Sequence, residues 1–424
     1  MIVKGDILYS KNKDQIEVVE KGYLIIEDGI VQGVYNKLAP KHEGGKIVDY
    51  EGKLIIPSFV DLHLHAPQYA NCGLGTDVEL LVWLEKYTYP EEEKFKDEVY
   101  RKAIYKELIR NLWKGGSLRS VIFGSLYREA TEDLMDMLIE SGLSAYVGKV
   151  NMDRNCPDSY RETTLESLED TEAFIIKYEG KSDLVKPIIT PRFVPHCTAE
   201  SMAGQGQLAE KYGVPVQSHI NESLSEIEWV KELHPESKAY SHVYDEYGLF
   251  GSPTKTIMAH VIFNEEAELE LMDDRQIYPV HCPESNANIM SGIMDAKRLL
   301  ERGLPVSLGS DISGGHHLYM PFQIVLAIQL SKMRARMEDD LSKVLTFSEA
   351  FYMATKSGGS FFGKVGSFEP GYEGDFLVVD TDKILTKGEV RNPLERLQKF
   401  IYIGNQKAIK ERYLRGVRLE KPFK

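Results

Sequence analysis

Apolar residues fall along this chain in two rhythms. Near the start, Tyr23-Leu24-Ile25-Ile26 and Ile30-Val31-Gln32-Gly33-Val34 flank Asp28-Gly29. Asp-Gly tolerates the positive φ angles of a two-residue hairpin turn, so this stretch reads as paired strands. The end of the chain has the same character. Gly371 and Gly374 precede Phe376-Leu377-Val378-Val379, and Tyr413-Leu414 and Val417 flank Arg415-Gly416. A β-rich beginning and a β-rich end around a long middle predict one small β domain, a β-sandwich, built from residues 1–56 and 366–424.

The middle, residues 57–365, alternates short apolar runs with helical spacing. The predicted strands are 54–65, 118–123, 145–150, 185–192, 214–220, 256–261, 277–282 and 305–311. Between them, Leu134, Leu138 and Ile139 precede Gly142, Leu299 and Leu300 precede Gly303, and Tyr212 precedes Gly213. Glycine just past a helix takes the left-handed conformation that closes it. Ser225 with Glu228 three residues on reads as a capping box, with Ile227 and Val230 on one face. Eight strand–helix alternations predict an α/β fold, a (β/α)8 TIM-like barrel. A doubly wound open sheet explains the alternation equally well, but not the number of units or the placement of the motifs below.

Composition narrows the picture. A chain of 424 residues exceeds what one core usually organises, which suits a barrel with an attachment. Hydrophobic residues at 42% and charged residues at 27% are ordinary for a globular protein. A formal charge of −14 is the wrong sign for a phosphate-backbone binder, so no nucleic-acid polymer is expected as partner. No apolar run approaches 18 residues and the first 24 alternate charges, so neither a membrane span nor a signal peptide is expected. Cys72, Cys156, Cys197 and Cys282 lie far apart and form no CxxC pair, which predicts reduced thiols and a cytoplasmic location.

The candidate chemistry lies at the strand ends. In Asp61-Leu62-His63-Leu64-His65, side chains alternate, so His63 and His65 project to one face and can chelate one metal. His219 and His260 lie near the ends of two further predicted strands, and Asp311 closes the last one behind the small residues Ser307 and Gly309. Buried imidazoles and a buried carboxylate need partners or a metal to offset desolvation. Nitrogen and carboxylate donors without thiolate point to zinc or ferrous iron. Glu222, three residues past His219, is placed to act as a proton shuttle beside a metal-activated water.

At these residues the chain resembles the guanine deaminase family of the amidohydrolase superfamily, the metal-dependent barrel type. The resemblance rests on residues 57–69 (PSFVDLHLHAPQY), 83–90 (WLEKYTYP), 190–193 (TPRF), 217–222 (QSHINE), 258–260 (MAH), 281–286 (HCPESN) and 309–315 (GSDISGG). It implies one Zn2+ per chain, with Fe2+ the alternative, held by His63, His65, His219 and Asp311. His260 would then stay off the metal and contact the attacking hydroxide, while Gln68, Arg192 and Phe193 would recognise guanine. The implied reaction is hydrolytic deamination of the free base at C2 to xanthine and ammonia, in a homodimer, with Glu222, His260 and Asp311 catalytic. The rival readings are a deaminase of the same superfamily acting on cytosine, an adenosine-type substrate or a triazine, and an inactive scaffold of this fold. Val261, Ser310 and Leu118-Arg119 depart from the family pattern and bear on substrate fit. Lys149 reads as a solvated or paired lysine, His281 as a loop-shaping residue, and His316-His317 as exposed.

Overall fold

The computed structural model describes residues 1–38, 40, 44–251 and 253–423. The first four strands are β1 (Ile2–Ser10), β2 (Ile16–Glu27), β3 (Ile30–Tyr35) and β4 (Ile47–Pro57). Ten follow through the middle: β5 (Phe59–His65), β6 (Ser117–Phe123), β7 (Ser144–Gly148), β8 (Val150–Asn151), β9 (Val185–Pro187), β10 (Thr190–Pro191), β11 (Val216–Ile220), β12 (Thr256–His260), β13 (Tyr278–His281) and β14 (Ser307–Leu308). The chain closes with β15 (Phe376–Val379), β16 (Ile409–Leu414) and β17 (Val417–Arg418).

Strands from the two ends do join. They form one seven-stranded sheet in the order β17-β16-β15-β4-β1-β2-β3. Both expected hairpins are present, with φ of 49° and 80° at Asp28 and Gly29, and 48° and 71° at Arg415 and Gly416. Positive φ at both central residues gives the turn a twist that matches the flanking strands. Val3, Ile7, Leu24, Ile55, Phe376 and Val378 build a separate core on this sheet.

The middle strands run parallel in two ladders, β5-β6-β7-β9 and β11-β12-β13-β14, with β8 and β10 paired between them. A parallel bridge from Ile189 to Val216 links the first ladder to the second. At the other side, Asp311 N donates to His63 O at 2.8 Å and His65 N donates to Ile312 O at 2.9 Å, so the last strand's end lies against β5. That approach needs Gly309, where a Cβ would sit 2.9 Å from the His63 Cβ.

Several boundaries differ from the sequence expectation. The single strand expected over 54–65 is two: Leu54–Pro57 pairs in the terminal sheet with β15, and β5 starts afresh at Phe59. Pro57 has no N–H to carry a ladder onward. The last predicted strand contracts to Ser307–Leu308, and Asp311 stands three residues beyond it with φ of 46°. The capping box is Ser223 with Glu226, not Ser225 with Glu228, on the helix Leu224–Leu233. Ser223 is still extended (φ −135°, ψ 156°), so the helix begins two residues earlier and Glu226 becomes buried. The glycine stops at Gly142 and Gly213 cap their helices as expected, with φ of 74° and 62°.

Candidate active site

Parallel strands deliver their C-terminal ends to one side, and there the residues picked from the sequence converge. His65, Gln68, Arg192, Phe193, His219, Glu222, His260 and Asp311 line one cleft. Leu80, Trp83, Leu84 and Ile289 form its apolar wall. His260, Val261, Asn221 and Asp311 all have positive φ, a rare conformation for residues with side chains that clusters at functional sites. Val261 is the most strained of these, being β-branched, and its side chain is buried behind the cleft.

The donor atoms face one another. His65 Nε2 and His219 Nε2 are 3.0 Å apart, and Asp311 Oδ1 lies 3.2 Å from His63 Nε2 and 3.5 Å from His65 Nε2. His219 Nδ1 donates to the Arg192 carbonyl at 2.5 Å, which leaves Nε2 as a bare lone pair. Burial first, then the neighbouring histidines, hold His65 and His219 well below the usual imidazole range, so both are neutral. Neither ring nitrogen of the fully buried His63 has a hydrogen-bond partner. Neutral His65 and His219, the unpartnered ring nitrogens of His63 and the Asp311 carboxylate together make a donor set that fits a divalent ion. Burial would raise Asp311, but His63, then His260 and His65, hold it well below the usual carboxylate range.

Two other residues stand close enough to compete as ligands. His260 brings a ring nitrogen within 4.8 Å of those of His63 and His219, and Cys282 Sγ lies equally near His63 and Asp311. Burial, then the charges of Asp311 and Asp61, push the Cys282 thiol well above its ordinary value. His260 Nδ1 donates to Asn286 Oδ1 at 2.9 Å, which turns Nε2 toward Glu222 Oε2 at 3.4 Å and Asp311 Oδ2 at 3.7 Å. Glu222 accepts from Ser291 Oγ at 3.1 Å. Burial, and then the charge of Asp311, raise its carboxyl well above the usual range.

Opposite the imidazoles lies a polar wall. Arg192 Nη1 and Nη2 donate to Glu92 Oε2 and Oε1 at 2.6 and 3.2 Å, and Gln68 Nε2 donates to Glu92 Oε1 at 2.8 Å. Phe193 packs its ring edge-on to His196, centroids 4.3 Å apart. Glu92, Asn286 and Ser291 went unnoticed in the sequence. Glu92 sits inside Pro90-Glu91-Glu92-Glu93-Lys94, which reads as a solvated charge run; only the fold buries it.

The remaining expectations resolve individually. Lys149 is buried and paired with Glu162 Oε2 at 2.6 Å, as a paired lysine. His281 is not a loop residue; it ends β13, buried, and burial followed by the charge of His260 pulls it down to about 3. His316 is exposed as expected and His317 is half-buried, and both face Glu284 Oε1. Glu284 Oε2 accepts three further N–H groups, from the backbone of His316 and His317 and from Gln323, so this carboxylate is saturated and anchors the loop that carries Asp311. Arg119 lies away from the cleft and joins Asp375 at 2.6 Å, tying β6 to the terminal sheet.

The chain is similar to known proteins over nearly its whole length. The family model described as the amidohydrolase family matches residues 54–419. A guanine deaminase of Dictyostelium discoideum is 35% identical over 99% of this chain and 98% of its own. That of Escherichia coli K12 is 30% identical over 95% of this chain and 91% of its own. The crystal structure of a guanine deaminase from C. acetobutylicum with guanine bound in its active site is 47% identical, with a TM-score of 0.96 and 99% of each chain covered.

Proposed function

The chain belongs to the amidohydrolase family, and on that premise we propose that it hydrolyses free guanine at C2 to xanthine and ammonia. One observation carries the reading: a donor set for a single ion and a hydrogen-bonding wall of Gln68, Arg192 and Phe193 face each other across one cleft. The wall matches the base chemically. Arg192 suits the carbonyl oxygen, the Gln68 amide suits the polar edge, and the Phe193 ring suits the π face.

His63, His65, His219 and Asp311 would hold the ion, zinc in preference to iron, one per chain. A divalent ion there supplies hydroxide at neutral pH by lowering the pKa of a water from about 15.7 to about 7. Asp311, ionised, takes the water proton. His260, its ring fixed by Asn286, turns Nε2 to hydrogen-bond the attacking oxygen. Glu222, which burial keeps protonated, gives its proton to the ring nitrogen next to C2 and makes that carbon electrophilic. Addition of hydroxide at C2 gives a tetrahedral intermediate. Glu222, now ionised, takes the proton of the added C2 hydroxyl and passes it to the amino group, so the C2 carbonyl forms as ammonia leaves, and the proton held by Asp311 returns to Glu222. Leu80, Trp83, Leu84 and Ile289 keep bulk water from this chemistry.

The architecture supporting this site we read as an eight-stranded closed barrel over 57–365. The Ile189–Val216 bridge and the His63–Asp311 backbone bond support its two closures. The terminal segments, 1–56 and 366–424, we read as a β-sandwich folded over the Val3–Ile7–Phe376 core. A homodimer in the cytoplasm completes the proposal; the four free cysteines suit a reducing compartment. Among the described residues no helix is long and apolar enough to cross a membrane. The test is an ultraviolet assay of guanine conversion to xanthine run beside cytosine, adenosine and a triazine. Turnover of one of those in place of guanine refutes the substrate assignment.

A further inference from the structure

One buried titratable group near the cleft has no part in the chemistry above. Glu92 is 3% exposed and does not line the cleft, yet it bonds two residues that do. Arg192 (3% exposed) reaches it through two nitrogens at 2.6 and 3.2 Å, and Gln68 (2% exposed) through its amide nitrogen at 2.8 Å. The amide has only one workable orientation: Oε1 accepts from Ser313 N at 3.3 Å, and a flipped amide would set oxygen against the carboxylate. Arg192 is also held over the Tyr89 ring, 5.2 Å from its centroid.

We propose that Glu92 is a positioning residue for specificity, holding Arg192 and Gln68 as one charge-neutral hydrogen-bonding wall that accepts a neutral oxopurine and disfavours an anionic one. This rests on the reading of the cleft as a guanine site. A guanidinium alone in a buried cleft is an anion receptor. Paired bidentately with a carboxylate, its remaining N–H groups still donate, but the net charge facing the ligand is removed. The distinction matters because of the reaction itself. Replacing the amino group by a carbonyl turns guanine into a dioxopurine, a stronger N–H acid that is partly ionised near neutral pH. The carboxylate behind Arg192 therefore leaves the substrate's hydrogen bonds intact and opposes retention of the ionised product. The other titratable groups facing the pair are Tyr89, Tyr105, Tyr127, Tyr160, Cys156, His65 and His196. Burial raises the tyrosines and the cysteine and lowers both histidines, so all remain neutral and Glu92 is the group that balances Arg192.

The experiment uses the metal-loaded full chain and the near-isosteric Glu92→Gln variant. Its expected kcat/KM for guanine falls by about 10²-fold, the scale of a misplaced binding group, with metal content unchanged. Competitive inhibition by xanthine moves the other way, tightening in Glu92→Gln as pH rises through the first ionisation of xanthine. Opposite signs are the signature, since a merely structural loss weakens both ligands together. Equal weakening of guanine and xanthine, or no change in either, overturns the assignment. Where Glu92→Gln fails to fold, Arg192→Met is compared with Arg192→Met/Glu92→Leu, which removes both charges. Because Glu92 acts through Arg192 while Ser313 still orients Gln68, the two should agree within about threefold in kcat/KM; a further loss of two orders of magnitude in the double variant overturns the proposal. A native protein that makes no xanthine from guanine overturns the functional reading and this assignment with it. Native turnover matched by an unaffected Glu92→Gln overturns this assignment alone.

Discussion

Replacing Glu222 by glutamine is the most direct perturbation of the proposed chemistry. Two carboxyls line the cleft, and their surroundings drive them apart: imidazoles hold Asp311 ionised, while burial and the charge of Asp311 keep Glu222 protonated. Such a split assigns the base and the acid. Glutamine keeps the volume of Glu222 and an oxygen for the Ser291 hydroxyl, at 3.1 Å in the native protein, but carries no transferable proton. Loss of general acid catalysis costs about 10²–10⁴ in rate, equivalent to about 2.7–5.5 kcal/mol of barrier. The ion's proposed ligands are untouched, so metal content stays at one per chain. The pH profile gives a second readout. An acid must be protonated to act, so native turnover falls once pH climbs through the raised pKa of Glu222, and the residual rate of Glu222→Gln lacks that alkaline limb. Guanine-to-xanthine absorbance across the pH range, with elemental analysis of the same preparations, measures both. Near-native turnover with a full complement of metal refutes the shuttle role.

Other perturbations address the rest of the molecule. His219→Ala is expected to lose metal on purification, whereas His260→Ala keeps it and turns over poorly; metal loss in the latter makes His260 a ligand. Glu162→Gln strands the buried Lys149 ammonium and should cost about 3–5 kcal/mol of stability in denaturant titration. Loss of bound metal in that variant would contradict the placement of Lys149 outside the metal centre. Glu226 is raised to about 7 from 4.5, above all by burial. Between those limits the folded chain binds more protons than the unfolded one, so stability drops as pH rises across them, by about 3 kcal/mol at about 1.36 kcal/mol per tenfold. Glu226→Gln should flatten that slope in urea midpoints taken at about pH 5 and about pH 7.5; an unchanged slope removes Glu226 as its source.

What the sequence revealed, and what it hid, divides along physical lines. Hairpins were legible because Asp28-Gly29 and Arg415-Gly416 are local turn chemistry. The convergence of the proposed metal donors was legible because alternation on a strand puts His63 and His65 on one face, and because histidine or aspartate at several strand ends has no packing use. Strand boundaries were less so: Leu54–Pro57 is apolar like Phe59–His65, and only pairing with Phe376–Val379 assigns it to the other sheet. The cap at Ser223 was hidden by a second Ser–Glu pair two residues along. Glu92, Asn286 and Ser291 were invisible for a different reason. Each acts through a residue distant in the chain, and nothing in its own neighbourhood marks a glutamate, asparagine or serine as buried.

The bond from His219 Nδ1 to the main-chain oxygen of Arg192 has a consequence for how such a site diversifies. The imidazole proposed to serve the ion is steadied by the backbone of the very position whose side chain is proposed to meet the substrate. Any amino acid at 192 supplies that oxygen. Selection, or an engineer, can therefore swap the recognition group there and leave the tautomer of the neighbouring ligand undisturbed. Substrate preference can drift at this position while the hydrolytic engine stays loaded.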